Sequence, residues 1–203
     1  MNRLVLTLLV IIAMPLASCT PVGLAAGAGA SLGVASAREG GLKTSASDAM
    51  IETRINDAWF RYDVETFRNL NLTVNQGRVL VTGVVEDPED RVEAIRLAWK
   101  PEGIKQVINE VRVEEGSGVS GYISDSWITT KLRTKMLMDS EIQSVNYSID
   151  TVNRTIYIMG VAYNKKELNA VIELARTISG VDEVVSYVKM AGEQDDPLGA
   201  TAK

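Results

Sequence analysis

The sequence predicts an α+β protein made of two tandem αββαβ units, each a three-stranded sheet packed on two helices. Three observations predict this architecture. Residues 48–113 align without a gap on residues 125–190 when the chain is shifted by 77 positions, and twelve positions are identical. In each copy, apolar residues recur with helical spacing and then alternate as in a strand. Glycines stand at matching points of both copies. The repeat therefore predicts two small homologous domains in this 203-residue chain.

The first helix of each unit is clearest in the second copy. It is predicted to begin at Ser124 or Asp125, either of which can cap a helix, and to run to about Met138. Its core stripe follows the i, i+4, i+8 spacing and consists of Ile128, Leu132 and Met136.

A β-hairpin, a second helix and a closing strand are predicted to follow. The hairpin turns fall at Asn75-Gln76-Gly77 and at Asn153-Arg154. Pro88 suits the first position of the second helix in the first copy, and Asn164 with Glu167 resembles a capping box in the second. A unit of about 60 residues buries only about 60% of its chain surface, which favours docking of the two copies on each other.

The N-terminus has the pattern of an export signal. Met1-Asn2-Arg3 is a short positive region, and the 13 residues from Leu4 to Leu16 are almost all apolar. That run is too short to span a bilayer, which needs about 20 residues, but it suits a signal peptide. Leu16-Ala17-Ser18-Cys19 resembles the lipobox of bacterial lipoproteins, which implies cleavage before Cys19 and a diacylglycerol on its thiol. An ordinary secretory signal with a chance cysteine is the alternative.

The complete domain organisation follows from these segments. We expect a lipoprotein signal peptide at 1–18, a lipidated Gly/Ala/Ser-rich tether at 19–47, the first domain at 48–113, a linker at 114–124, the second domain at 125–190 and a disordered tail at 191–203.

Composition excludes several function classes. The chain has no histidine and one cysteine, so it lacks Ser-His-Asp and Cys-His catalysis, internal disulfides and His-containing metal sites. We expect no catalytic residues, no metal and no cofactor. The net charge of −5 argues against nucleic-acid binding, because contact with phosphates needs a basic surface.

The order of these elements resembles the BON domain, the bacterial osmotic-stress and nodulation module. The segment 125–133, which reads DSWITTKLR, is similar to the first helix of the second domain in dual-BON outer-membrane lipoproteins. The resemblance covers about 19–190. It implies a protein without catalytic activity, associated with cell division and envelope stress. It also implies binding of anionic phospholipid such as phosphatidylglycerol or cardiolipin. Thr20, rather than Asp, follows Cys19, which favours the periplasmic face of the outer membrane.

The helical angles of 126–138 predict where lipid would bind. With 100° per residue, Trp127, Lys131, Thr134 and Met138 point away from the core stripe, and no acidic residue occurs in this segment. The predicted phospholipid-binding residues are Trp127, Thr130, Lys131, Arg133, Thr134, Lys135, Leu137 and Met138.

Two alternatives stay open at this point. Trp127 could instead pack against the first domain or the linker. The protein could also be a non-enzymatic adaptor whose domains bind envelope protein partners. Aromatic residues of the first copy could form a protein-docking patch, although Trp59 lies on the core stripe of its helix, which favours a core position for it. The patch would consist of Trp59, Phe60, Tyr62 and Phe67.

Overall fold

A computed structural model describes residues 38–114 and 120–193, which form two αββαβ units. The first contains α1 (Gly41–Phe67), β1 (Leu70–Asn75), β2 (Arg78–Val85), α2 (Pro88–Ala98) and β3 (Gln106–Val113). The second contains α3 (Ser120–Met138), a 3-10 turn (Ser144–Asn146), β4 (Tyr147–Val152), β5 (Thr155–Ala162), α4 (Lys165–Arg176) and β6 (Glu183–Met190). The predicted fold class and the order of elements are confirmed.

The two sheets have the same topology. In each one, the hairpin strands are antiparallel, and the last strand lies parallel to the central strand. A parallel neighbour requires a crossover connection, and α2 and α4 supply it. Both helices of a unit cover one face of its sheet. Ile51, Ile55 and Trp59 fill the core of the first unit, and the predicted stripe of α3 lies in the core of the second.

The hairpin turns are held by a carboxylate in each unit. Gln76 and Gly77 have φ values of 55° and 79°, as a two-residue hairpin turn of the mirror-image type requires. The Asp48 carboxylate accepts hydrogen bonds from both of their backbone N–H groups, at 2.7 and 2.8 Å. Asp125 does the same for Asn153 and Arg154, at 2.8 and 2.9 Å.

Both first helices begin earlier than the sequence predicts. The structure starts α1 at Gly41 inside the expected tether and α3 at Ser120 inside the expected linker. The predicted cap at Ser124 or Asp125 is wrong, because Asp125 lies within the helix and its carboxylate holds the turn. After β6, residues 191–193 continue in a turn that is bonded to β5 through Ala191 N and Ala162 O at 2.8 Å. The signal peptide, Cys19, the tether up to residue 37, residues 115–119 and the tail from 194 lie outside the described residues.

The two sheets pack against each other with their free faces. Leu80, Val84 and Ile108 of the first unit form one buried cluster with residues of the second, namely Val152, Tyr157 and Met159. Polar bonds join the edges of this cluster: Arg112 donates to Thr155 Oγ1 at 2.8 Å, and Arg78 donates to the Tyr187 carbonyl at 2.9 Å. The molecule is therefore a four-layer sandwich, with helices outside and sheets inside.

Equivalent positions of the two units meet at this interface. Leu80 and Tyr157 are separated by the repeat length, and both lie in the shared cluster. Glu110 and Tyr187 are also equivalent, and the Tyr187 hydroxyl donates a hydrogen bond to the Glu110 carboxylate. The units are therefore related by an approximate two-fold axis near this pair.

Candidate functional site

Helix α3 has a buried face and an exposed face, as its angles predict. Ile128, Leu132 and Met136 are 1%, 0% and 1% exposed and pack on the second sheet. Their burial confirms the predicted core stripe. Since the sheet lies on one side of α3 and the first unit lies beyond that sheet, the opposite face of α3 points outward from the whole sandwich.

Large apolar side chains stand on this outward face. Trp127 is 60% exposed, Leu137 is 73% exposed and Met138 is 81% exposed. With Thr130, Lys131 and Thr134 they form a continuous surface along the helix, which we call the α3 ridge. The high exposure of Trp127 does not fit the alternative in which this residue packs against the first domain. Residues 115–119 of the linker lie outside the described residues.

Three cations lie on or beside the α3 ridge, and each makes a different contact. The Lys131 ammonium lies over the Trp127 ring, 5.1 Å from its centroid, in a cation–π contact. Arg133 is exposed and donates to the Ile149 carbonyl at 2.9 Å, so its guanidinium leans toward the edge strand β4. Lys135 reaches the Thr177 hydroxyl at 3.4 Å. The positive charge therefore lies along both sides of the ridge.

The two threonines of the ridge present little free polarity. Thr130 Oγ1 donates to the Ser126 carbonyl at 2.8 Å, and Thr134 Oγ1 donates to the Thr130 carbonyl at 2.9 Å. Because each hydroxyl proton is used within the helix, the ridge between Trp127 and Met138 can contact an apolar phase without losing these bonds.

The repeated unit has counterparts in known proteins. The BON domain family profile matches residues 47–115 and 124–192, which is more than half of the chain. The chain belongs to the BON-domain family. Each αββαβ unit is therefore a BON domain, and the α3 ridge is the outer surface of the first helix of the second BON domain.

Three known proteins are similar to about 70% of this chain. An uncharacterized protein in the gshII 5' region of Anaplasma centrale is 38% identical over 144 residues, which cover 70% of this chain and 94% of that protein. The 21 kDa hemolysin of Actinobacillus pleuropneumoniae is 28% identical, with 71% and 75% covered. Outer membrane lipoprotein DolP of Haemophilus influenzae is 26% identical, with 72% and 76% covered.

The first BON domain lacks a comparable ridge. The equivalents of Trp127 and Met138 are Met50, which is 55% exposed, and Arg61, which forms an ion pair with Asp57 at 3.0 Å. Glu52 also lies on this helix, and burial raises the pKa of its carboxyl, with Arg38 opposing that shift. Acidic groups on α1 would repel an anionic surface, so the two BON domains differ in the chemistry of the same helix.

The aromatic residues of the first BON domain divide into two groups. Trp59 and Phe67 are 4% exposed, their rings lie 5.8 Å apart, and Trp59 Nε1 donates to the Ala94 carbonyl at 3.1 Å. These two residues are core, as the core stripe of α1 predicts for Trp59, so only Phe60 and Tyr62 of the predicted docking patch are available for contact. Phe60 and Tyr62 are exposed. Val92 on α2 and Trp99, which follows the end of that helix, are also exposed, and Val92 lines one groove together with Tyr62.

Within residues 38–114 and 120–193, no helix has the length and hydropathy needed to cross a bilayer. The same ranges contain no group of three or more carboxylate or cysteine side chains placed to hold a metal ion.

Proposed function

We propose that this protein is a non-enzymatic outer-membrane lipoprotein that binds anionic phospholipid through the α3 ridge of its second BON domain and so supports envelope integrity. One observation carries the proposal. Trp127, Leu137 and Met138 are exposed on the outer face of the sandwich, with three cations beside them and no acidic residue in the segment 126–138.

This arrangement suits a negatively charged membrane surface. A tryptophan ring is favoured at the level of the lipid headgroups, and long cationic side chains pair with phosphates while their stems contact the apolar region. Each cation close to an anionic leaflet contributes about 1 kcal/mol. Lys131, Arg133 and Lys135 together therefore favour phosphatidylglycerol or cardiolipin over neutral lipid.

The lipid anchor would keep the ridge close to the membrane. In this proposal Cys19 carries the acyl chains, and residues 20–40 connect it to α1. The name of the Haemophilus influenzae relative, an outer membrane lipoprotein, supports this location. The described lead-in to α1 contacts the second BON domain, because Glu39 N donates to Asn146 Oδ1 at 2.9 Å. The segment from the anchor would thus join α1 at a point beside the second BON domain, which is the domain proposed to bind lipid.

A second candidate function is an adaptor for envelope proteins. Tyr62 and Val92 of the first BON domain favour it, because both are exposed and line one groove. Adjacent exposed large apolar side chains are typical of protein contact surfaces. Lipid binding and protein binding would then use different domains.

Vesicle co-sedimentation tests the lipid proposal. The chain from Thr20 to Lys203, which keeps every described residue, should bind vesicles containing phosphatidylglycerol and not vesicles of neutral lipid alone. Trp127→Ala should weaken this binding about tenfold with little change in melting temperature, because the ring is exposed and its membrane contact is lost. Met50→Ala, the equivalent change in the first domain, should leave binding unchanged.

Two further variants separate charge from folding. Lys131→Glu should weaken binding most at low salt, because a Debye length of about 10 Å at 0.1 M screens the interaction. Ile128→Ala should instead lower the free energy of unfolding by about 2–5 kcal/mol, because it empties a core position. If Trp127→Ala melts normally and still binds anionic vesicles like the unmodified chain, the adaptor function replaces the lipid function.

Anchoring is tested in cells that express the full chain. Cys19→Ala should abolish incorporation of labelled acyl chains and leave the signal peptide uncleaved by the lipoprotein pathway, because that residue supplies the thiol. Fractionation with and without the substitution measures it. Acyl labelling that persists in Cys19→Ala would contradict the lipobox interpretation.

A further inference from the structure

A shallow groove of about 330 Å³ lies on the outer side of the first BON domain. It is lined by Tyr62 at the end of the long part of α1 and by the first two turns of α2, through Pro88, Glu89, Val92 and Glu93. Tyr62 and Val92 are 56% and 65% exposed. The lining thus combines the apolar surfaces of Tyr62 and Val92 with the carboxylates of Glu89 and Glu93.

The path of the chain creates this groove. At Asp63 the backbone leaves the helical conformation, with φ −161° and ψ 108°, and its carboxylate caps the short turn that follows by accepting from Glu65 N at 2.9 Å. Tyr62 then stacks on buried Phe67, with 5.6 Å between ring centroids. The aromatic ring is therefore fixed by the core while one side of it faces the groove.

Negative charge accumulates around the groove. The pKa of Asp90 is raised, first by burial and then by the neighbouring carboxylates of Asp87, Asp63 and Glu89. Glu93 is paired with Arg96, which compensates one charge. The remaining acids favour an occupant that carries apolar side chains and positive charge.

The second BON domain does not repeat this surface. Tyr62, Val92 and Trp99 correspond through the repeat to Asp139, Asn169 and Arg176. Glu89 and Glu93 correspond to Lys166 and Ala170. The groove is therefore a property of the first domain alone and is not required by the fold, which both domains share.

The same chain carries a surface of the opposite chemistry. Leu137 and Met138 project from the end of the α3 ridge and are 73% and 81% exposed. Arg133 and Lys135 lie within one helical turn before them, and Asp139 follows them. Groove and ridge lie on the outer helical layers of opposite halves of the sandwich, so they cannot meet within one molecule. We propose that the groove of one molecule receives Leu137 and Met138 of a second copy, in a head-to-tail contact that anionic lipid displaces.

This contact joins two different surfaces, so each pair leaves one groove and one ridge free. In solution the chain from Thr20 to Lys203 should therefore form species larger than dimers as its concentration rises. Because the same ridge carries the proposed lipid function, binding to anionic vesicles should dissociate these species. The contact is small, and small interfaces are typically weak and transient.

Mixing of two single variants tests the proposal by sedimentation velocity. Val92→Asp places a carboxylate in the groove, and Leu137→Asp places one on the ridge. Each variant alone should associate at least about tenfold more weakly, because a carboxylate is costly to desolvate in an apolar contact. An equimolar mixture should recover association but stop at a one-to-one pair, since only one intact groove and one intact ridge remain. Asn169→Asp, at the position equivalent to Val92, should associate like the unmodified chain.

The outcomes separate this proposal from the lipid proposal. A chain that stays monomeric at submillimolar concentration, or a mixture that does not recover association, overturns the head-to-tail contact. Vesicle binding is measured on the same samples: Val92→Asp should bind anionic vesicles normally and Leu137→Asp should not. Loss of vesicle binding in every sample together with intact self-association would overturn the lipid function alone.

Discussion

At the scale of single residues, one carboxylate in each domain joins the first helix to the hairpin. Asp48 and Asp125 occupy equivalent positions, and each accepts two backbone N–H groups from a turn whose residues have positive φ. Arg154 adopts φ 64° without being glycine, a conformation that costs free energy for a residue with a Cβ. The two bonds from Asp125 offset that cost and fix the distance between α3 and the β4–β5 turn.

We therefore expect Asp125→Ala to lower the free energy of unfolding by about 1.5–3 kcal/mol for each bond that water does not replace, since bonds to charged groups have this magnitude. Chemical denaturation measures the change. Asp182→Ala is the matched control: it removes an exposed ion pair with Arg154 at 2.9 Å and should cost at most about 1 kcal/mol. Equal losses in both variants would contradict the role given to Asp125.

At the scale of secondary-structure elements, the entry into each hairpin depends on close backbone contact. Gly83 on β2 has φ 119°, and a Cβ at this position would lie 2.2 Å from the Asn69 carbonyl oxygen. Glycine is therefore required both by conformation and by space. Gly160 repeats the collision against Asn146, at the same 2.2 Å.

The effects of conformation and of steric space can be separated by comparison with Gly103, which lies between α2 and β3. Its φ of 92° is also unfavourable for other residues, but a Cβ there would meet only Ile51 Cδ1 at 3.5 Å. We expect Gly103→Ala to cost about 1–2 kcal/mol from conformation alone. Gly83→Ala should cost more, by about 1–3 kcal/mol for the added collision. Thermal melts of the two variants in parallel check this order, and the reverse order would contradict it.

The sequence was sufficient to predict which helices and strands form. It was insufficient to predict where the first helix of each domain begins and which faces of the two sheets pack together. Helical spacing identified Ile128, Leu132 and Met136 because burial on one face leaves a periodic pattern. The helix starts were misplaced because Asp125 has the residue type of a cap but bonds a turn distant in sequence. The stacking of the sheets had a sequence signal in β5, where every residue from 156 to 162 is apolar or glycine. A strand that is apolar on both sides indicates a layer on each face. What cannot be read from one sequence is the lipid or partner that meets an exposed residue such as Trp127.

At the scale of the whole molecule, the interface between the domains contains a largely desolvated carboxylate, that of Asp150. Asp150 accepts hydrogen bonds from the Thr82 hydroxyl and from Asn71 Nδ2, which is 3.2 Å away. Burial raises the pKa of Asp150, and the bonds from Thr82 and Asn71 and the charge of Arg133 act in the opposite direction. The net effect is a carboxyl that binds its proton more tightly in the folded protein than in the unfolded chain.

The sign of the pH dependence follows from this direction. Below the unfolded pKa of about 3.9, Asp150 is protonated in both states and carries no penalty. As pH rises through the raised pKa, the folded state loses stability relative to the unfolded state, and the loss is complete above it. The stability of the unmodified chain relative to Asp150→Asn should therefore fall as the pH rises above about 4. Urea unfolding at several pH values measures this difference, and a constant or rising difference would contradict it.

The contact between Tyr187 and Glu110 bears on how such a chain could have arisen. When identical subunits form a symmetric pair, a residue on the axis touches its own copy in the other subunit. Positions 110 and 187 keep that relationship within one chain. The geometry is what gene duplication and fusion would leave from an ancestral homodimer of single BON domains. Fusion would free the axial position to be glutamate in one half and tyrosine in the other. It would also let the outer helices differ, as exposed Trp127 and its equivalent Met50 do, which no homodimer with identical halves allows.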